Sequence, residues 1–580
     1  MEPLVTASLV CRHGGLGGLE HVLALVSDLL DHARPPCWSL VRASAAGRHV
    51  SLLQRLSARE PLDLDPFERA AHFSKALAHA ASRGDLETAA WLCVSYCPAG
   101  IASLGVEAAA RHGRLDVLEF LTAAVDVDVL WTTTFMEAAA AGGHVHVLEW
   151  LHRHPRNPGS SPEAMDAAAR HGHLEAVEWL HARGVVGTKR AVEDAIAHGH
   201  VAVAQFLVAN HHPSRICPAM DYAARHNHLP VLAWLHESLL AECTSDAMDF
   251  AAANGHLEVV QWLHAHRTEG CTLYAMDSAA ENGHLAVVQW LHTHRREGCT
   301  RAAMDYAAKE GHLAVVQWLH AHRSEGCTSS AMDGAAGNGH LAVVQWLHAH
   351  RSEGCTSRAV DTAAGHGHLA VAQWLREARG VEFTANAMGL AAANGHLAVV
   401  RWLHAHSADA GCTPVAMDMA AANNHLAVVQ WLHTHRTEGC SPRAVDRAAA
   451  GNHVDMVAWL AANRREGCSD DAFNDATSVE MLHLLSTLYP GRDFSAACMR
   501  AAVLQGDFAR LRFFHEHQRE GFREMVQSGR LAVRDVEVFQ WLHRHYGDVL
   551  RASDVRSSTR TSLYLHALLD RMGLALRQSP

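Results

Sequence analysis

A fixed internal period of 28 residues constrains this chain more than any other feature. The tripeptide Ala-Met-Asp begins at residues 247, 275, 303 and 331, and the full unit reads AMDxAAxNGHLAVVQWLHxHRxEGCTxx. A unit of this length cannot bury both of its faces alone, so copies of it must stack on one another. The period therefore predicts a stacked array of repeats and not a set of separate globular domains.

Each repeat carries the start and stop signals of two helices. The residue after the repeat Cys is Thr or Ser, as at Thr272, and these residues are good N-caps. The dipeptide Gly-His ends the first helix at twelve positions from His144 to His453, and Asn replaces the Gly at Asn227, Asn424 and Asn452. Gly and Asn tolerate the left-handed conformation that terminates helices. We predict helix-turn-helix units in which the second helix ends near Gly298.

The unit Ala-Met-Asp-x-Ala-Ala-x-x-Gly-His-Leu-x-Val-Val-x-Trp-Leu resembles the ankyrin repeat over roughly residues 76–470. The resemblance implies an all-α solenoid of stacked helix-turn-helix repeats. Because the period is shorter than the family's 33 or so residues, we expect the β-turn fingers to be shortened or absent. Asp249, Asp277 and Asp305 stand where the family has His, so the family's hydrogen bond between units does not carry over directly.

The strength of the repeat divides the chain into three parts. Residues 1–75 are predicted to form a helical N-terminal cap with a diverged repeat at 45–56 (AAGRHVSLLQRL), residues 76–470 the ankyrin-like array, and residues 471–580 degenerate repeats with a C-terminal helical cap. The stretch at 19–47 has a faint likeness to an F-box, with helical leucines followed by Pro and Trp.

Charge and cysteine usage bear on the partners. Lys and Arg number 49 against 61 Asp and Glu, and the formal net charge of −12 argues against a protein that binds nucleic acid by neutralising phosphates. No run of 18 apolar residues suggests a membrane span. The 14 Cys, in a long chain with no recognisable leader, favour a reduced cytoplasmic location over a disulfide framework. We expect a monomer.

The 48 His invite a metal hypothesis, because His264, His266 and Cys271 form a set that recurs in later repeats and could ligate zinc. Positions i and i+2 of a helix lie about 200° apart, so His264 and His266 do not converge on one ion. We therefore expect structural His and Cys, with the Gly-His histidine bonded to backbone at the turn. A pH-responsive role remains an alternative, because so many imidazoles titrate near pH 6.5.

The Asp of the first helices could be interpreted as paired carboxylates for acid–base chemistry. Each lies early in a helix, where negative charge is favourable. A catalytic constellation needs particular residues once, whereas this Asp recurs along the whole array. We expect no catalytic residues, no metal and no cofactor.

Positions that vary between repeats are free to recognise a partner. They lie on the first helix opposite the stripe of Met276, Ala279 and Ala280, and aromatic and charged side chains there are plausible anchors. The candidate partner-binding residues are Phe250, Tyr274, Ser278, Glu281, Tyr306, Lys309, Arg358 and Thr362.

The resemblance to ankyrin repeats implies a non-enzymatic scaffold that binds unidentified protein partners through its concave helical face. A second hypothesis is a substrate-receptor adaptor, in which the F-box-like N-terminus joins a larger complex such as a ubiquitin ligase. A third is a His-rich protein that responds to metal or pH.

Overall fold

The computed structural model describes residues 39–47, 50–61, 64–123, 127–211, 219–238, 242–406, 413–529, 531–550, 555–556 and 561–572. These residues are almost entirely α-helical and form successive pairs of short helices. The predicted all-α solenoid of helix-turn-helix repeats is confirmed. Most of the F-box-like stretch at 19–47 lies outside the described residues, which begin at Ser39.

One repeat shows how the sequence signals act. The Thr272 side chain accepts a hydrogen bond from the Tyr274 N–H (3.1 Å), and the first helix then runs Leu273–Glu281. Gly283 follows with φ of +78°, and the second helix runs Leu285–His294. It ends four residues before the predicted stop at Gly298, because the backbone of Arg295 is extended.

The three Asn that replace the turn Gly have the conformation that their position predicts. Asn227, Asn424 and Asn452 have φ of 60°, 62° and 58°, and they are the non-glycine residues with positive φ among those described. The exchange of Gly for Asn therefore marks a backbone requirement of the turn.

The described residues fall into two compact units. The first comprises Met1–Ala164, Asp535–Trp541 and Arg560–Ala575. Its helices are Leu40–Ala45, Val50–Ala58, Pro66–Arg83, Leu86–Trp91 with the π-helical turn Leu92–Tyr96, Ser103–Arg111, Leu115–Ala123, Thr134–Ala141, Val145–Arg153 and, near the C-terminus, Thr561–Arg571.

The C-terminal segments of this first unit pack on its N-terminal repeats. The Ser74 hydroxyl donates to the buried carboxylate of Glu537 (2.6 Å), and the Tyr564 hydroxyl donates to Glu107 (2.8 Å). The indole of Trp541 donates to Asp65 (3.1 Å). Segments more than 400 residues apart in the chain thus share one core.

The second unit comprises Met165–Arg534, Leu542–Thr559 and Leu576–Pro580. Its helices, some of which begin in the first unit, are Pro162–Arg170, Leu174–His181, Lys189–Ala197, Val201–His211, Ala219–Arg225, Leu229–Glu237, Ser245–Ala253, Leu257–His266, Leu273–Glu281, Leu285–His294, Arg301–Lys309, Leu313–His322, Ser329–Gly337, Leu341–His350, Ser357–Gly365, Leu369–Arg379, Ala385–Ala393, Leu397–His406, Pro414–Ala422, Leu426–His435, Arg443–Ala450, Val454–Asn463, Asp471–Asn474, Val479–Leu488, Ala496–Gln505, Phe508–His517, Arg519–Gln527 and Val536–Tyr546.

Small side chains set the packing inside the second unit. The paired Ala of each first helix, such as Ala279 and Ala280, are buried, and neighbouring first helices pack against one another extensively. Strands in the described chain are limited to a short parallel pair, Leu531–Ala532 with Val555–Arg556. The repeats therefore have no β-turn fingers in their described loops, as the short period predicts.

Candidate interaction surface

The Asp of each first helix joins its repeat to the next one. Asp249 accepts hydrogen bonds from the backbone N–H (2.8 Å) and the hydroxyl (2.6 Å) of Thr272. Burial raises the pKa of Asp249, and these two bonds oppose that shift. The same two hydrogen bonds recur in the pairs Asp166–Thr188, Asp221–Thr244, Asp277–Thr300, Asp305–Thr328, Asp333–Thr356, Asp361–Thr384, Asp418–Ser441 and Asp446–Ser469.

This role differs from the one that the sequence indicated. The Asp was expected to act on the dipole of its own helix, but its carboxylate instead fixes the cap residue that begins the next helix. Because each of these carboxylates already accepts two hydrogen bonds, it is a structural group of the repeat.

The Gly-His histidine also bonds across the repeat boundary. The Nε2 atom of His256 lies 3.1 Å from the carbonyl oxygen of Arg225 in the preceding repeat, and His453 makes the same contact with Ala422 (3.1 Å). Burial lowers the pKa of the equivalent His284. The expected bond to backbone at the turn is thus present, and the accepting carbonyl belongs to the neighbouring repeat.

The remaining repeat histidines pack on tryptophan. His294 stacks on Trp290 of its own repeat, with ring centroids 4.5 Å apart, while His264 of the preceding repeat meets the same indole edge-on at 5.2 Å.

The described repeat cysteines are not arranged with these histidines as metal ligands. Burial raises the pKa of the Cys271 thiol to about 11. Within the described residues, no group of three or more His, Cys, Asp and Glu is arranged to hold a metal ion.

The variable side chains of the first helices form a second kind of surface. We define the first-helix face as the exposed side chains of the first helices from Ala219–Arg225 to Arg443–Ala450. One column of repeat positions, exposed in some repeats and buried in others, is the residue directly after the structural Asp, or after Gly389 in the repeat that lacks it. Its members are Tyr222, Phe250, Ser278, Tyr306, Gly334, Thr362, Leu390, Met419 and Arg447.

Several of the predicted candidates lie on this face. Tyr274 is 56% exposed and Tyr306 45% exposed, and Lys309 and Arg358 are exposed as well. Phe250 is half-buried, and the guanidinium of Arg225 lies 5.1 Å from the centroid of its ring. Adjacent repeats therefore place aromatic and charged groups side by side.

The other candidates are less accessible. Ser278 is buried, so it leaves the candidate surface. Thr362 and Glu281 are half-buried, and the Thr362 hydroxyl donates to the Arg358 carbonyl in its own helix (2.7 Å). A small or polar residue on the first helix is thus less accessible than Tyr274 or Tyr306.

Several exposed residues on the face are absent from the sequence-based set, and three of them lie in columns that contain predicted candidates. Tyr222, Leu390 and Val415 are 46%, 42% and 57% exposed. Tyr222 and Leu390 are equivalent to Phe250 in the repeat, and Val415 is equivalent to Tyr274. Extending the alignment of repeats beyond residues 246–365 would have found them.

Comparison with known proteins identifies the repeat. Residues 220–264, 248–292, 304–348 and 390–433 match the family model of ankyrin repeats (many copies). The helix-turn-helix solenoid thus contains ankyrin repeats between residues 220 and 433. A comparison with curated proteins finds no match.

Solved structures with a related helical architecture are distant. The pentatricopeptide repeat protein PPR10 from maize has a TM-score of 0.27 and 10% identity, covering 93% of this chain and 89% of that chain. PPR10 in complex with an 18-nt psaJ RNA element has a TM-score of 0.30 and 13% identity, covering 92% of this chain and 80% of that chain. TM-scores this low assign no partner to this chain.

The exclusion of nucleic acid as a partner is nevertheless corrected. It was drawn from the net charge of −12, yet a helical-repeat protein found in this comparison is described in complex with RNA. The physical error is that net charge is a sum over the chain, whereas association depends on the local charge of one face.

No helix in the described part of the chain is long and apolar enough to cross a membrane.

Proposed function

We propose that this helical repeat protein is a non-enzymatic scaffold that binds a protein partner through the first-helix face, which corresponds to the concave face implied by the ankyrin resemblance. The observation that carries the proposal is the exposure of Tyr222, Tyr274 and Tyr306 on this face, at 46%, 56% and 45%. Tyr combines a large apolar area with a hydroxyl that can bond, and it is enriched in binding hot spots.

Two further observations support a scaffold. The Asp and His that recur in each repeat are engaged in bonds between repeats, which leaves the variable side chains to determine specificity. The cation–aromatic pair of Arg225 and Phe250 gives the Tyr-rich part of the face a preformed anchor. A cytoplasmic location is part of the proposal, and the free thiols of the described cysteines are in keeping with it.

The test compares capture of partners by the full-length chain with capture by a triple variant, Tyr222→Ala, Tyr274→Ala and Tyr306→Ala. The matched control replaces three exposed second-helix residues that are identical in their three repeats: Gln289→Ala, Gln317→Ala and Gln345→Ala. We expect the tyrosine variant to lose the captured proteins and the glutamine variant to keep them, with circular dichroism unchanged in both.

Ribonuclease treatment of the lysate separates two kinds of partner. Capture that survives the treatment and depends on the tyrosines supports a protein partner. Capture that ribonuclease abolishes, or that is equal in the two variants, would overturn the proposal.

A further inference from the structure

The C-terminal part of the first-helix face differs from the rest in charge. In the first helices from Ser329–Gly337 to Arg443–Ala450, the exposed charged residues are Arg358, Arg443 and Arg447, and these described helices contain no exposed Asp or Glu. Their structural Asp are buried or half-buried and bonded to cap residues. A chain with a net charge of −12 thus presents a locally basic stretch.

Apolar side chains lie between these arginines. One column of the face reads Arg358, Asn386, Val415 and Arg443 in four successive repeats, and Leu390 lies in the neighbouring column. Val415 is 57% exposed and Leu390 42% exposed. Gly389 replaces the structural Asp in the middle repeat, so that helix also lacks the carboxylate. The order along this stretch is basic, apolar, basic.

The dimensions of the stretch define what can occupy it. Packed helices lie about 8–10 Å apart, so three repeat steps from Arg358 to Arg443 span roughly 25–30 Å. An extended chain covers about 3.3 Å per residue, which makes the matching segment about eight or nine residues long. Arg binds carboxylates through two parallel hydrogen bonds, and apolar side chains of the same segment would cover Val415 and Leu390.

We propose, on the basis of the proposed scaffold function, that the stretch from Arg358 to Arg443 binds an extended acidic segment of a partner protein with apolar residues at its centre. Single-stranded RNA fits less well, because its bases stack on aromatic side chains and the described residues of this stretch expose none; the exposed aromatics of the described first helices are Tyr222, Tyr274 and Tyr306.

Acidic neighbours define the C-terminal limit of this stretch. Asp471 and Asp475 line a cavity of about 330 Å³ together with Arg443 and Arg447, so part of the positive charge at that end is countered within the chain. The described residues give Arg358 no carboxylate partner. Arg358 is therefore the stronger of the two terminal contacts, and its substitution has the larger effect.

The experiment measures fluorescence anisotropy of a labelled nine-residue peptide, with three Glu at each end and three Leu at the centre, mixed with the full chain. The comparison probes are the same peptide with Lys in place of Glu and an 18-nucleotide oligouridine. We expect the acidic peptide to bind most tightly and to weaken as salt increases. The double variant Arg358→Glu, Arg443→Glu should weaken it at least tenfold.

Arg301→Glu is the matched control, because Arg301 is an exposed first-helix arginine outside the stretch; it should leave the affinity within twofold. Any of three results would overturn the inference. The acidic peptide does not bind, the double variant binds it as tightly as the wild type does, or the wild type prefers oligouridine and the same substitutions abolish that preference. The triple tyrosine variant separates the two proposals. If capture of partners depends on the tyrosines but the acidic peptide does not bind, this inference is wrong and the proposed scaffold function stands.

Discussion

The carboxylate of Asp277 accepts two hydrogen bonds from Thr300 of the following repeat, one from its backbone N–H (2.8 Å) and one from its hydroxyl (2.7 Å). Thr300 also caps its own helix, since its hydroxyl oxygen accepts from the Ala302 N–H (3.1 Å). Thr300 thus bonds to the preceding repeat and also caps the first helix of its own repeat. The stability of that helix therefore depends on the neighbouring repeat.

Replacement of this carboxylate should loosen the next helix. Asp277→Ala removes the charged acceptor of two hydrogen bonds from Thr300, and a hydrogen bond to a charged group contributes about 1.5–3 kcal/mol. Asp277→Asn should cost less, because the amide oxygen still accepts one bond. Because repeat arrays open locally, the measurement is amide hydrogen exchange of the helix Arg301–Lys309. Ser330→Ala, an exposed change, should stay within about 0.5 kcal/mol; unchanged exchange in Asp277→Ala would refute the prediction.

The turn glycine should tolerate Asn better than Ala. Gly283 has φ of +78°, and a Cβ there would lie 2.6 Å from the ring of His312 in the next repeat. Gly283→Ala combines backbone strain with this contact and should cost at least about 1 kcal/mol. Gly283→Asn should cost less, since Asn424 has φ of 62° at the equivalent position. Thermal unfolding of the two variants checks this order, and the reverse order would contradict it.

Acid should weaken the array through its turn histidines. Burial is the largest cause lowering the pKa of five of them below 6.5: His200, His284, His368, His396 and His425. The unfolded chain then binds more protons, so stability falls as the pH drops from about 6.5 through the lowered values. We expect a lower unfolding temperature at pH 5.5 than at pH 7.5.

A variant of three of these positions tests the cause. His200→Gln, His284→Gln and His425→Gln remove titrating groups but keep side-chain amides that can bond to the same backbone carbonyls, those of Arg170, Ala253 and Ala393. The difference in unfolding temperature between pH 7.5 and pH 5.5 should shrink in this variant. An undiminished difference would assign the acid sensitivity to other groups.

Glu537 should destabilise the first unit as the pH rises. Burial raises the pKa of this carboxyl above 4.5, and the hydroxyl of Ser74 bonds to it. A raised folded pKa means that the folded protein holds the proton more tightly, so its contribution to stability is lost as the pH rises from 4.5 through the raised value. Glu537→Gln should therefore match the wild type near pH 4 and be more stable than the wild type at pH 7.

The readout for Glu537 is hydrogen exchange of the helix Pro66–Arg83, which contains Ser74. Glu537→Ala is the control, because it removes the hydrogen bond together with the charge and should not be more protected than Glu537→Gln. Equal protection of Glu537→Gln and the wild type at both pH values would show that the buried carboxyl has no stability cost.

The sequence by itself determined the repeat, its two helices, their caps and the short loops. These features depend on local physical chemistry: Thr272 can cap a helix and Gly283 can adopt a positive φ whatever lies around them. The fold class therefore followed from the repeat and its helix signals, and the ankyrin repeats from the resemblance of the residues in each unit. The sequence alone did not predict that the second helix ends at His294. This end depends on the extended conformation of Arg295 and on the ion pair of Arg295 with Glu297.

Only the tertiary structure decided which groups meet across repeats and across the chain. Ser278 and Tyr306 occupy equivalent positions of the repeat, yet the first is 3% and the second 45% exposed, because burial depends on side-chain size and on the adjacent repeat. The contact of Ser74 with Glu537 joins residues 463 positions apart. No local pattern encodes such a contact, since it exists only once both segments share one core.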